Sequence, residues 1–465
     1  MHYALTYRQH ARAVLGLGLP LVGSHLAQFA ITLTDAAMLG WYNVESLAAG
    51  VLGGEMFFVF FIMGSGFAWA VMPMVASAQG AGEDTQVRRV TRMGLWASIL
   101  FGCLALPVLL FTEDILRALG QTDEVSRLAG DYNRINGWAI WPALLVMVLK
   151  SYLAALERTR VVLWITLLAA GVNALVNYVL IFGNFGAPEM GIRGAAVASV
   201  VVHLVSLLAL VFYVIRATPE HALFQRLWRP DAEAFGRVFR LGWPIGITNL
   251  AEVGLFAASS VMMGWLGTLP LAAHGIALQA ASVAFMMHLG LSNAATVRAG
   301  HAHGRGDLPG LRAGASVVIG MSTLAALATV ILFLVLPEPI ISAFMRPDEP
   351  DREAVLALGT GLLAAAALFQ LVDAGQVIAL GLLRGVQDTR VPMVIAAITY
   401  WGIGYPGELP FGVHDGPWRG RRLAGPCPGL GFGGHIHDGA ILGMVGALAE
   451  ISDLWRRFQR KQYRQ

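Results

Sequence analysis

The sequence predicts an all-α polytopic membrane protein. Its two six-helix bundles are related by a parallel repeat, and the twelfth helix is disrupted. Three observations carry this. The 465 residues are 56% hydrophobic and 13% charged, with a mean hydropathy of +0.63, whereas soluble domains carry about 25% charged residues. Bilayer-length apolar stretches follow one another from residue 14 to residue 404. Residues 18–82 recur as 242–306 at a constant offset of 224.

A spanning helix needs about 20 mostly apolar residues. Eleven stretches qualify: 14–39, 49–78, 93–111, 132–156, 161–183, 192–215, 240–266, 270–299, 314–336, 355–383 and 391–404 onward. Lipid offers no partner to a bare peptide group, so each must be helical. With the N-terminus inside, the cytoplasmic connections up to residue 404 carry 17 Arg and the outer ones 6. That bias sets a cytoplasmic N-terminus. The polar run Tyr7–Arg12 leads into an apolar segment too long for a signal-peptide core, which predicts a retained first helix. The 2 cysteines, Cys103 and Cys427, imply no disulfide framework. A net charge of +3, spread over short loops, does not suggest nucleic-acid binding.

In the repeat, Gly18 and Pro20 fall on Gly242 and Pro244, and Met38, Gly40 and Trp41 on Met262, Gly264 and Trp265. Phe61, Met63, Gly66 and Ala70 fall on Phe285, Met287, Gly290 and Ala294, and Ala78, Gly80 and Gly82 on Ala302, Gly304 and Gly306. A second match, offset by 230, pairs Thr159-Arg160-Val161 with Thr389-Arg390-Val391. Six spans separate the copies, so both start on one membrane side. The division is an N-terminal bundle at 1–220, a C-terminal bundle at 221–404 and an aberrant tail at 405–465, with the long connection at 216–240 as the boundary. Parallel repeats of this kind build transporters whose sites lie near the midplane. An old duplication in a scaffold is the competing reading.

Four acids stand inside apolar spans: Asp35, Glu55, Glu252 and Asp373. A carboxylate at the centre of a span costs about 2.5–3.5 kcal/mol on insertion scales. Such a group must pair, protonate, face water or hold a cation. Asn249 precedes Glu252 by three residues on the same helix face. Asn173 and Asn177 stand i, i+4 in the fifth span, placed to hydrogen-bond Asp35 across the bundle; interhelical packing is the alternative. Gln279 could line a cavity. Glu55 reads as reaching outer water. Lys150 reads as snorkelling to the cytoplasmic interface. His25, His203 and His288, each alone in its span, read as packing residues. His301 and His303 read as loop residues lacking a third zinc ligand. Met38, Met262, Met263, Met286, Met287 and Phe285 fit either an adaptable cavity wall or plain core and lipid contact.

Several segments resemble the multidrug and toxic compound extrusion (MATE) transporters, most closely their NorM-like branch. They are TDAAMLGW at 34–41, LAAG at 47–50, GVNALVNYVLIFG at 171–183, APEMGIRGAA at 187–196, NLAEVG at 249–254, DAGQ at 373–376 and GLLRGVQDTRVPM at 381–393. The likeness covers about 1–404. It implies twelve helices in two bundles around a V-shaped cavity, and export of amphiphilic or cationic drugs by antiport with Na⁺ or H⁺. It places the coupling site, Na⁺ included, at Glu252 and Asp373, and ties Asp35 to rearrangement of the N-terminal bundle. Asn173, Asn177, Asn249 and Gln279 become candidate cavity residues. No cofactor beyond the coupling ion is implied. The expected setting is the bacterial inner membrane, with the lipid bilayer as partner and a monomer as the working unit. The alternatives are a lipid-linked oligosaccharide flippase of the related superfamily and a non-functional frame-shifted product. No nucleophile–base pair or metal-ligand helix suggests an enzyme.

From Tyr405 to Asp438 the composition turns to Gly, Pro, Arg and His, which cannot form a lipid-facing helix. Back-translation of Arg422–Gly439, moved forward one nucleotide, can read VWLGLVLGLGLAAIFMTA, a normal apolar span. A frame slip near Gly404–Pro406 accounts for the break. A real lesion would leave the C-terminal bundle without its last helix.

Overall fold

Each long helix starts and stops where the sequence supplies a cap, a glycine or a turn. The computed structural model describes residues 5–345 and 351–397. The end of the expected eleventh span and the tail at 405–465, with its disrupted twelfth helix, lie outside the described residues. The described helices are α1 (Tyr7–Tyr42), α2 (Val44–Ala81), α3 (Asp84–Leu110), α4 (Thr112–Ala118), α5 (Asp123–Asn136), α6 (Ile140–Ala155), α7 (Thr159–Phe182) and α8 (Ile192–Ala217). They continue with α9 (Ala232–Leu266), α10 (Thr268–Gly304), α11 (Leu308–Val335), α12 (Pro337–Ser342), α13 (Arg352–Gly385) and α14 (Arg390–Ala397). Ten stretches are long and apolar enough to cross a bilayer, with α5 and α6 forming one of them. They coincide with the first ten expected spans, within a turn or two at most ends. The protein is a multi-pass, all-helical membrane protein over its described residues.

The α1 start is a capping box. The Gln9 amide donates to Thr6 Oγ1 (3.4 Å) and the Thr6 amide to Gln9 Oε1 (2.8 Å). Asn43 alone joins α1 to α2. Its N–H closes the last turn of α1, and its Oδ1 accepts from the Ser46 amide at 2.6 Å. The helices then present apolar residues on nearly every side. Leu104 on α3, Trp164 on α7 and Phe212 on α8 are all exposed. Exposed apolar surface on this scale needs lipid rather than water.

Two expectations change at the helix ends. Residues 301 and 303 are not in a loop, because α10 runs on to Gly304 and holds both in its last turn. Glu55 is exposed, but α2 begins at Val44, so it stands three turns into its helix.

Cα packing divides the chain into two units. The first comprises Met1–Leu250, Asn293–Ala315 and Arg384–Arg390; the second comprises Ala251–Ser292, Ser316–Leu383 and the segment from Val391. In the first unit α1 packs along α7, α2 against α3 and α6, and α7 against α8. The connection after α8 is tied down. Arg92 donates to the carbonyls of Ala222 and Leu223 (2.8 Å each) and Trp96 Nε1 to that of Leu227 (2.7 Å). Arg89 pairs with Asp231 (2.5 Å) and Glu233 (2.8 Å). The Arg89 guanidinium holds the Asp231 carboxyl at about 2.

The repeat appears as contacts within this first unit. A Cβ on Gly80 would strike the backbone of His301, and one on Gly304 would strike the backbone of Ser77. A Cβ on Gly300 would meet the Cβ of Ala76 at 2.8 Å. Under the 224 offset the Gly80–His301 and Ser77–Gly304 pairs exchange and the Ala76–Gly300 pair maps onto itself, the reciprocal pattern of a twofold contact. α2 and α10 therefore cross with backbones touching, which only glycine permits. The 230 offset is visible too: Glu157 (φ 61°) and Gln387 (φ 59°) both take left-handed backbone just past the helix that precedes the matched Thr-Arg-Val.

Gly304→Leu should destabilise the folded protein by at least about 1–3 kcal/mol, the range for overpacking. Gly320→Ala, where a Cβ meets nothing, should be neutral or stabilising by up to about 1 kcal/mol. Thermal unfolding in detergent reads both.

Candidate functional site

In the first unit, α1 presents Asp35 to α7, where Asn173 and Asn177 lie one turn apart. Asn173 Nδ2 donates to Asp35 Oδ1 at 2.7 Å and Asn177 Nδ2 to the same oxygen at 2.5 Å. One carboxylate oxygen thus receives two amides. Both asparagine Oδ1 atoms are buried and have no hydrogen-bond partner. From α5, Tyr132 lies within electrostatic range of Asp35. A carboxylate held by two amide donors, with no basic partner among the described residues, is chemically suited to a proton or a hard monovalent cation.

Asn249 sits elsewhere in the first unit. It is buried on α9, and its Oδ1 accepts from Arg384 Nη2 at 3.0 Å. The same guanidinium lies over the Trp69 ring, 5.1 Å from its centroid. Arg384 did not emerge from the sequence as a site residue. As an arginine at a helix end it read only as topology charge, and its reach back to Asn249 follows from no local spacing.

In the second unit, Asp373 is buried on α13 at 4% exposure, and Glu252 on α9 lies within electrostatic range of it. Among the described residues no basic side chain pairs with Asp373. Gln370 and Gln376, three residues to either side, are buried on the same face. Gln370 Nε2 donates to the Ala281 carbonyl at 3.4 Å, and its Oε1 is buried without a partner. Gln370 was missed because nothing in a glutamine next to leucines marks it; the i, i+3, i+6 spacing about Asp373 was the available signal. α13 reaches α10 closely because Gly381 lies against Ser292, whose hydroxyl donates to the Val377 carbonyl at 2.7 Å. Gln279 is exposed on α10. Of the expected cavity residues in the first unit, Asn173 and Asn177 meet Asp35 and Asn249 meets Arg384.

The MatE family model matches residues 20–179 and 244–409, two segments that begin 224 residues apart. A Rhizobium meliloti protein, named probable multidrug resistance protein NorM, is 46% identical over 97% of this chain and 93% of its own length. The chain belongs to the MATE family. A Synechocystis MATE relative of the same name is 35% identical over 98% of the chain and 95% of its own length. The fold agrees with solved MATE structures. A eukaryotic MATE transporter, AtDTX14, superposes with a TM-score of 0.83 over 98% of each chain at 17% identity. A multidrug resistance MATE transporter in its outward-facing conformation gives 0.84 over 97% of this chain and 96% of its own at 18% identity.

A double-mutant cycle on Asp35→Asn and Asn177→Leu, read by thermal unfolding, should give a coupling above the ~0.6 kcal/mol average for polar pairs between membrane helices. A carboxylate acceptor raises it toward about 1.5–3 kcal/mol.

Proposed function

We propose that this MATE protein is a secondary active multidrug efflux transporter. It exchanges an inward-moving Na⁺ or H⁺ for an amphiphilic or cationic drug by alternating access. It resides in the bacterial inner membrane as a monomer with its N-terminus in the cytoplasm, and moves compounds rather than transforming them. The observation that carries this reading is Asp373, buried in an apolar helix with another acid, Glu252, as its electrostatic neighbour. Two acids near each other in such a place need a positive charge or a proton between them. An ion that binds there in one conformation better than in the other moves the equilibrium by that difference in affinity. Asp35, with Asn173 and Asn177, is the corresponding charge-responsive site among the N-terminal helices. The relatives named as multidrug resistance proteins support the drug class.

The α2–α10 crossing supports the alternating-access half of the reading. Access from the cytoplasm requires these touching backbones to part. Side chains brace the same end. Glu157 accepts from Arg298 (3.5 Å) and faces His301 Nδ1 (3.3 Å), and His301 Nε2 lies 2.9 Å from the Ala155 carbonyl. The hydrogen bond from His301 and the charge of Arg298 hold the Glu157 carboxyl below its usual range, against burial. A carboxyl depressed in the folded state stabilises it fully above the unfolded value of 4.5, and that contribution fades as pH falls below it.

Inside-out vesicles given a fluorescent cation in the outer medium, with sodium and proton gradients imposed separately, test the coupling by uptake. Wild type should respond to at least one gradient. Asp373→Asn should fold and insert normally yet lose gradient-driven transport, and full efflux by that variant sinks the assignment. For the brace, the unfolding-midpoint gap between wild type and Glu157→Gln should be constant above about pH 5 and close in more acidic buffer.

A further inference from the structure

The α2–α10 crossing has a cleft beside it, wholly within the first unit. Gln79 and Gly80 of α2, Glu157 of the turn after α6, and Arg298, His301 and Arg305 around the end of α10 line about 360 Å³ of open space. Three segments distant in sequence meet there, at the end that the proposed topology places in the cytoplasm. Gly80 lies against the backbone of His301, which sets how close two of the walls stand.

The basic groups of the cleft have donors to spare. Arg298 reaches Glu157 only at 3.5 Å, beyond the ~2.7–2.9 Å of a charge-assisted hydrogen bond. Its Nε is buried and has no hydrogen-bond partner. Arg305 is exposed and pairs with no acid among the described residues. Asp307, close by in sequence, is turned to the start of α11, where its Oδ1 accepts from the Gly310 amide at 2.8 Å. Among the lining residues, two guanidiniums thus stand against one carboxylate. The planar donors of a guanidinium match the oxygens of a phosphate. Basic pockets between membrane helices on the cytoplasmic side are suited to phosphate head groups.

The joint itself does not need this charge. At the 224 offset the α2 counterparts of Arg298, His301 and Arg305 are Met74, Ser77 and Ala81, and at the 230 offset that of Glu157 is Gln387. Both copies contribute glycine to the crossing, yet only one carries the basic set. The Glu157 brace uses His301 and one edge of Arg298, and leaves Arg305 and Arg298 Nε over.

We propose that this cleft binds a phosphate group, free or on a lipid head group, through Arg298 and Arg305, with His301 and Gln79 at its sides. A ligand lodged there touches α2 and α10 at once. It is held while the two helices touch and lost when they part, so its differential affinity favours the closed joint. That second step rests on the alternating-access reading; the binding does not.

Equilibrium binding to the purified full chain in detergent tests the site without transport. The probes are sodium phosphate and dioctanoyl phosphatidic acid, each compared with sodium chloride at equal ionic strength to remove general screening. Wild type should bind at least one of them. Arg305→Gln, a change at an exposed side chain, should weaken that binding about tenfold or more, the scale of one hydrogen bond to a charged group. Arg305→Lys should recover part of the loss. Arg160→Gln, at an exposed arginine outside the cleft, should bind as wild type does. Two probes that compete with each other assign the site to phosphate from either source. Phosphatidic acid alone assigns it to the lipid, and inorganic phosphate alone to the free anion. Binding of neither probe, or binding that neither Arg305→Gln nor Arg298→Lys weakens, overturns the proposal. For the joint, the bound probe should slow thiol alkylation of Ser77→Cys about threefold or more, in a chain that also carries Cys103→Ser and Cys427→Ser. An unchanged rate at saturating probe overturns the conformational step and not the site. Gradient-driven uptake by wild type, measured separately, bears on the efflux reading alone.

Discussion

In hydrocarbon a polar side chain has no water to fall back on, so it needs a partner on a neighbouring helix or an occupied, wetted space. Much of the interior of this protein follows from that constraint. Asp35 receives two amides from α7. Ser24 and Thr166 bond each other between α1 and α7 at 2.9 Å, and His288 meets Ser322 between α10 and α11 at 2.9 Å. Asp373 differs: among the described residues no basic side chain pairs with it, and another acid, Glu252, lies within electrostatic range. On the proposed function, a coupling ion completes what the protein leaves open there.

The ion pairs outside the apolar spans do a different job. Asp131, nearly buried, gathers Arg193 (2.9 Å), Arg134 (3.3 Å) and Arg127 (3.6 Å). Arg89 does the reverse, collecting Asp231 and Glu233. These acids all have basic partners and the groups are solvent-reachable, so they fasten helix ends and the connection before α9. A basic partner therefore separates these structural acids from the candidate functional ones.

Much of the architecture was legible because lipid makes composition decisive: ten described spans coincide with apolar stretches. The 224 offset marked glycines at 80 and 304 as equivalent, but the backbone contact that requires them was not legible from residue types. The Asp35 cluster was readable from the i, i+4 asparagines. Arg384 on Asn249 and the His301 brace were not. Each depends on a side chain reaching a segment distant in sequence, and the direction of that reach is set by packing.

The reciprocal crossing of α2 and α10 also bears on ancestry. A polypeptide of half this length, carrying one copy of the glycine-lined face, would hold every surface that the joint uses. Two such molecules standing side by side in one orientation would pair by the same rule, each 76 meeting its partner's equivalent. Gene fusion would then have fixed the stoichiometry of a joint that already worked. The two copies differ at this joint: position 77 is serine, while its counterpart 301 is the histidine that braces Glu157.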